Sequence, residues 1–386
     1  MKILTLLLSS WLILHSTNTF SAVDWVAPQG NPGHTGYVEM TTNPDNYHTL
    51  WEHDLIWKGT IVFNIQGPVR ADGVIVLIIN DHIVAYDTNT GVQKWLNEGA
   101  NKDFQYLYYL NGQLVSTEYT DFARINFYDT TTGYLSNSEL VYQYSGLMGT
   151  YDSNLYFYKR DRNDSSLISW SRKTGKQNWA EQADMKLYPN HALSKNYIIT
   201  PTDHHGLLVR DRESGGGVFH IHIDDAVLKT TSHDKIVLDS DSNTAFNFYV
   251  KTSESNPCLY ALDLNKKGVR WVLPDQNADM QPVVVNNMVF DIDAKNPRLN
   301  AIDLYSGEIL WAWYAPNGDE INTHMPLVAT SDAIFVTGKN YIYAVSLKTT
   351  KTVWKTEKQG SLALGDHKLF IYKAYPKDSL TAIALN

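Results

Sequence analysis

Short apolar runs, broken by turn-forming pairs, set the pattern of this chain. The run Val74–Ile79 (VIVLII) is apolar at every position. A continuous run of that length reads as a strand buried on both faces. A second strand is expected over residues 83–87 and a third over 92–96. Pairs such as Asp72-Gly73, Asn111-Gly112 and Asn286-Asn287 precede the runs. They tolerate positive φ and so favour tight hairpins. A short innermost strand is expected before each turn, opening near Pro68, Pro282 and Pro326.

Each group of strands carries one pattern: Asp, then Gly four residues on, then Trp eight residues on. It is complete in AYDTNTGVQKW (85–95) and AIDLYSGEILW (301–311). With the Asp position as ruler, the copies fall at Asp87, Asp129, Ser171, Asp211, Asp263, Asp303, Ser346 and Ala384. The steps are 42, 42, 40, 52, 40, 43 and 38 residues. A period in this range means a solenoid, propeller or array. The Trp position holds Trp95, Trp179, Trp271, Trp311 and Trp354, but Asn137 and Phe219 in two copies. The Gly position holds Gly91, Gly133, Gly175, Gly215 and Gly307, slips to Gly268 in one copy, and is Thr350 in another.

The eighth copy stops at Asn386, before a Trp, while Trp51 stands 44 residues before Trp95 with no pattern ahead of it. The strand around Trp51 is therefore expected to complete the blade begun by the C-terminal strands. The fold class is all-β: an eight-bladed propeller of four-stranded antiparallel blades, its ring closed by both ends of the chain.

The repeated residues have structural work. The Asp accepts backbone N–H bonds in the turn that follows, and the Gly supplies positive φ. The Trp buries a flat ring against the next blade, with its N–H near an edge. Ala85, Ala261, Ala301 and Ala344, two before the Asp position, suit close approach of sheets. This removes most Trp and signature Asp residues from the functional candidates.

Composition and the N-terminus bound the rest. Residues 1–22 read as a signal peptide, with Lys2, an apolar stretch of 12 residues too short to span a bilayer, and Ser21-Ala22 for cleavage. A retained anchor is the alternative. Residues 23–46 form an N-terminal segment and 47–386 the propeller. The expected location is outside the cytoplasm, periplasmic or secreted, with no later membrane span and a monomeric chain. Val23, not Cys, follows the expected cut, and Cys258 is the sole cysteine. It can form no internal disulfide and reads as a lone buried thiol. The net charge is −9 with no basic cluster, which argues against nucleic acid as a partner.

On the strength of the Asp–Gly–Trp repeat and the opening DWVAPQGNPGHTGYV (24–38), the chain resembles the PQQ-like repeat family of eight-bladed β-propellers. There the pattern is called the tryptophan-docking motif. The family holds enzymes and non-catalytic proteins. The enzyme branch resembles quinoprotein alcohol dehydrogenases, which implies PQQ and Ca²⁺ over the channel and an adjacent cysteine pair that this chain lacks. Length and the bare repeat resemble the non-catalytic BamB-like branch, which implies protein partners in the envelope or outside the cell and no cofactor.

Candidate sites lie between the repeats. His220 and His222 are two apart on an expected outer strand and share a face. With His204, His205, Asp203, Asp224 and Asp225 nearby they form the richest imidazole cluster, although outer strands are usually solvated. The 52-residue step places about ten extra residues between Asp239 and Pro257, expected as a long polar hairpin. Its start, DSDSN (239–243), resembles a calcium loop, but Thr244 and Val250 occupy the Gly and Glu positions that an EF-hand needs. Residues opening the innermost strands face one channel mouth: Gln66, Tyr106, Tyr188, Asn190, Gln281 and His324. No Ser/His/Asp or paired-carboxylate set stands out. The functional expectation is an exported, non-catalytic binding or scaffold protein. The alternatives are a PQQ-dependent oxidoreductase and a glycan or cell-surface binding module.

Overall fold

The computed structural model describes residues 25–27, 29–55, 68–79, 82–98, 107–119, 123–140, 145–160, 165–183, 191–202, 206–224, 226–228, 236–239, 241, 243–251, 256–276, 280–293, 295–373 and 378–386. They form eight antiparallel sheets, seven of four strands and one of five. Blade one runs from its inner strand Val69–Ala71 through Val74–Ile79 and His82–Asp87 to its outer strand Gln93–Asn97. The next six blades repeat this meander. In blade eight the C-terminal strands Ser361–Gly365, Lys368–Lys373 and Ser379–Ala384 are completed on the outside by His48–Asp54. His48 stands opposite Ala384 and Asp54 opposite Ser379. The ring is an eight-bladed β-propeller closed by both ends of the chain, as the Trp51 spacing implies.

The apolar cores lie between blades. Phe246, Leu259, Ala261 and Trp271 of blade five pack against Val289, Ile302 and Leu304 of blade six. Because both faces of every sheet are covered this way, the second strands are continuous apolar runs. Val74–Ile79 is buried at all six positions. Full burial of one such side chain contributes about 1.5–3 kcal/mol.

The repeated residues build the seams. Asp87 Oδ1 accepts the N–H groups of Asn89 and Thr90 at 3.0 and 2.9 Å. The Gly91 N–H donates to the Asp87 carbonyl at 2.9 Å. In the same sheet Ala85 stands opposite Trp95, and the small residue leaves room for the ring. The Trp95 indole N–H then reaches into blade two and donates to the Thr130 carbonyl at 2.8 Å. Its ring covers Gly133, where a Cβ would lie 2.4 Å away. Gly133 therefore serves twice, for positive φ and for close approach. Trp51 docks in the same way on Thr88 and Gly91, Trp179 on Arg212 and Gly215, and Trp271 on Leu304 and Gly307.

Blade five departs from the repeat, and differently from expectation. The extra residues do not make one polar hairpin. Thr244–Lys251 pairs with Pro257–Asp263, and most positions of both strands are buried. An additional strand, Ala226–Leu228, pairs with Thr244–Lys251 on its inner side. The turn between the first two full strands lengthens to residues 239–243, where blade six makes the turn with Asn286 and Asn287.

The N-terminal segment crosses one end of the channel. Trp25 and Arg70 exchange backbone bonds at 3.0 and 2.9 Å. The N–H groups of Tyr109, Leu193, Leu238 and Val284 donate in turn to the carbonyls of Val26, Pro32, Gly33 and Thr35, at 2.8 to 3.0 Å. Val38 donates to the Ala329 carbonyl, and Ala329 donates to that of Gly36. One strand of chain thus visits the inner strands of blades one, two, four, five, six and seven. Each contact lies beside the blade's first hairpin turn, so the segment lies across that mouth. Trp25, Ala27, His34 and Val38 of the segment are buried.

Candidate functional site

The two mouths differ in what they present. Four of the six rim candidates, Gln66, Tyr106, Tyr188 and Asn190, lie outside the described residues. Gln281 sits on the link into the inner strand of blade six. It is buried, and its Nε2 has no hydrogen-bond partner. His324 sits on the corresponding link of blade seven, exposed, with its backbone N–H on Asn322 Oδ1 at 3.1 Å.

The imidazole pair lies on the outer strand Gly217–His222 of blade four. The rings are 6.2 Å apart and tilted 52°. His220 Nε2 faces Thr202 Oγ1 at 3.4 Å, and His222 Nε2 faces Asp224 Oδ1 at 3.3 Å. His204, His205, Asp203 and Asp225 lie outside the described residues. Among the described residues, no group of three or more His, Cys, Asp or Glu is placed to hold a metal ion.

A polar site that sequence reading missed lies at the other mouth, beside the N-terminal segment. A cavity of about 600 Å³ opens between that segment and the hairpin turns of blades three to five. Asn31, Thr35 and Tyr37 come from the segment, Tyr151 from blade three, Lys195, Asn196 and Tyr197 from blade four, and Asp239, Asp241, Asn243 and Asn265 from blade five. Asn31, Asp239, Asn243 and Asn265 are held by the protein itself. Asp239 Oδ1 accepts the N–H groups of Asn243 and Thr244 at 2.7 and 3.1 Å. Burial pushes the Asp239 carboxyl above its ordinary range, and those two N–H groups oppose the shift. Asn31 Oδ1 accepts the Gly33 N–H, and Asn31 Nδ2 donates to Thr35 Oγ1. Asn265 Nδ2 donates to Asn243 Oδ1 at 3.1 Å.

The aromatic walls are fixed too. The Arg212 guanidinium lies 4.2 Å from the centre of the Tyr151 ring. Arg212 is anchored on the Lys195 carbonyl, the Tyr156 hydroxyl and Asp152. Tyr197 packs edge-on against Phe219, and the Tyr37 hydroxyl meets Ser331 Oγ at 3.0 Å. The signal in the sequence was DSDSN, of which Asp239, Asp241 and Asn243 line the cavity. Its meeting with residues 31–37 is invisible in the sequence because the segment docks through backbone bonds.

A second buried polar pair lies inside the seam between blades five and six. Asp291 stands opposite Asn300 on adjacent strands, and neither side chain has a hydrogen-bond partner. Both are fully enclosed. Burial holds the Asp291 carboxyl well above its ordinary range.

Eight blades built on a four-stranded meander, several of them joined by tryptophan docking, and closed on the first strand define a β-propeller of the PQQ-like type. The chain belongs to the family described as "Outer membrane protein assembly factor BamB", whose model matches residues 34–313. No curated protein matches the chain by sequence. Among solved structures it is similar to a europium-containing methanol dehydrogenase (TM-score 0.65, 11% identity, 95% of this chain and 99% of that chain). It is similar to BamB from Moraxella catarrhalis (0.57, 10%, 88% and 99%). A quinohemoprotein alcohol dehydrogenase from Comamonas testosteroni is a third likeness (0.63, 10%, 94% and 80%). At these identities the likenesses establish the fold alone, and they span enzymes and an assembly factor alike.

Proposed function

We propose that this chain is an exported, non-catalytic binding or scaffold protein that engages protein partners of the envelope or outside the cell. The observation that carries this reading is the outer strand of blade six, Ile309–Trp313. Ile309 and Leu310 are 42% and 52% exposed, and Tyr305 and Tyr314 beside them are 58% exposed each. The outer strands of the other blades are interrupted by charged or imidazole side chains: Glu52, Lys94, Glu139, Glu181, His220, Arg270 and Lys355. The strand of blade six carries none. An exposed apolar edge strand without charged side chains is what a protein normally avoids unless another chain pairs with it. The family membership supports the same reading, since its description names an assembly factor of the outer membrane. Among the described residues no helix is long and apolar enough to cross a membrane.

The residues fit poorly with the PQQ-linked alternative. The resemblance implies an adjacent cysteine pair against the quinone. Cys258 is single and fully enclosed in the core between blades four and five. The binding reading is tested with a photo-crosslinking residue at Leu310 and another at Val92, which is exposed on the unrelated edge of blade one. An envelope protein captured at Leu310, absent at Val92, and lost on Ile309→Lys is the expected result. Equal capture at both positions, or none, overturns it.

A further inference from the structure

We propose that the cavity beside the N-terminal segment is a binding site for a neutral oligosaccharide. This stands apart from the protein-binding edge, which lies on the outer rim of another blade. Four observations converge.

First, the size is right. A volume of about 600 Å³ lies within the range of small-molecule sites. Second, the site sits where blade five abandons the repeat. Blades one, two and six make the corresponding turn with Asp72-Gly73, Asn111-Gly112 and Asn286-Asn287. The turn of blade five spans 239–243, and the longer loop is what carries Asp239, Asp241 and Asn243 to the cavity. Ring-building explains the ordinary turn but not this one.

Third, the wall chemistry suits a sugar. A sugar ring has an apolar C–H face and an edge of hydroxyls that both donate and accept. Tyr37, Tyr151 and Tyr197 offer amphipathic rings for the face. Asp239 and Asp241 accept from hydroxyls, Lys195 donates, and the asparagines do both. Two carboxylates against one lysine leave the wall net negative, which disfavours phosphate and carboxylate ligands. Fourth, the groups are set in advance. Arg212 clamps Tyr151, the turn's own N–H groups orient Asp239, and Asn31 is held by its neighbours. Little ordering cost remains for the ligand to meet.

The test titrates the full mature chain, by calorimetry and by side-chain amide NMR of the asparagines, with chitotriose, maltotriose and cellotriose. Trigalacturonate serves as the anionic counterpart. At least one neutral trisaccharide is expected to bind and to move asparagine signals, and trigalacturonate is not. Tyr151→Ala, which removes a ring from the wall, and Asp239→Asn, which removes one charge-assisted hydrogen bond, are each expected to weaken binding roughly tenfold or more. Asp241→Asn, at an exposed position that leaves the fold untouched, is expected to weaken it less but in the same direction. No binding of any of the three sugars at about 10 mM, a concentration that would reveal even millimolar affinity, overturns the proposal. So does tighter binding of trigalacturonate, or binding unchanged in Asp241→Asn and Tyr151→Ala together.

Discussion

The seam between blades one and two and the seam between blades two and three are built from opposite choices of size. In blade one Ala85 faces Trp95, and the ring crosses to cover Gly133. In blade two the same two positions hold Phe127 and Asn137, again directly opposite each other. The bulk has moved from the outer strand to the third. Gly175, the glycine that a docked ring would cover, has open space around it. The gap is answered from blade three, where the Arg172 guanidinium lies 4.3 Å from the Phe127 ring centre and Arg172 Nε donates to Gln113 Oε1. Loss of the tryptophan is thus no defect. Side-chain volume is conserved across the strand pair while its position changes, the kind of exchange that packed interiors tolerate best.

The most severe way to break the comparison is to empty one seam of each kind. Trp95→Ala and Phe127→Ala are each expected to cost about 3–5 kcal/mol, read as a fall in the chemical denaturation midpoint. Equal losses mean that Phe127 holds its seam as Trp95 holds the other. A loss under about 1 kcal/mol for Phe127→Ala would show that this seam rests on other contacts.

Restoring the first arrangement in the second seam is the sharper test. Asn137→Trp alone crowds Phe127 and is expected to cost about 1–3 kcal/mol. In the double variant Phe127→Ala/Asn137→Trp the ring has both its small partner and its glycine. A favourable coupling of about 1–3 kcal/mol between the two changes is expected from a double-mutant cycle. Simple additivity would mean that the exchange is not what compensates.

The glycines separate next. Gly133→Ala and Gly175→Ala both place a side chain at positive φ, +72° and +63°, a strain of about 1–3 kcal/mol. Only Gly133→Ala also drives a Cβ into a ring. Its thermal midpoint is expected to fall clearly further than that of Gly175→Ala.

The smallest effect concerns pH, inside a seam of the Trp95 kind. Asp291 is held above its ordinary range by burial. The unfolded chain ionises this carboxyl first, so the folded state binds more protons over the interval between the two values. The contribution of this group to stability is then greatest below the unfolded value, about 4, and falls as pH rises through that interval. Asp291→Asn is expected to flatten this fall and raise the melting temperature at neutral pH. A wild-type profile no steeper than that of the variant would contradict it.

Much of this was legible in the sequence, and the reason is periodicity. The ring, its closure at Trp51 and the docking of Trp51, Trp95, Trp179 and Trp271 followed from spacing, because a residue type fixed in register has one place to go. The Phe127–Asn137 exchange was half legible. Asn137 stood out as a missing Trp, but its compensation needs the knowledge that the two positions face each other across a strand pair. The polar cavity was not legible. Asp239, Asp241 and Asn243 stood out as the start of an expected polar hairpin, yet their neighbours Asn31 and Tyr37 arrive by backbone hydrogen bonds, which no side-chain pattern announces. Four rim residues fall outside the described structure, and Gln281 and His324 occupy links of neighbouring blades.

The segment across the channel has a consequence for the order of assembly. Residues 25–38 precede every blade along the chain, yet they take their hydrogen bonds from blades one, two, four, five, six and seven. The strand His48–Asp54 likewise waits for Ser379–Ala384, the last strand of the chain. Residues made before the blades are therefore placed after them. Such long-range pairing makes folding slow and leaves the leading end extended until the ring is nearly complete. A chain interrupted before blade eight would leave the strand His48–Asp54 without its partner, while the channel segment kept its far anchor at Ala329 in blade seven. Truncation at one end would thus be felt at the other.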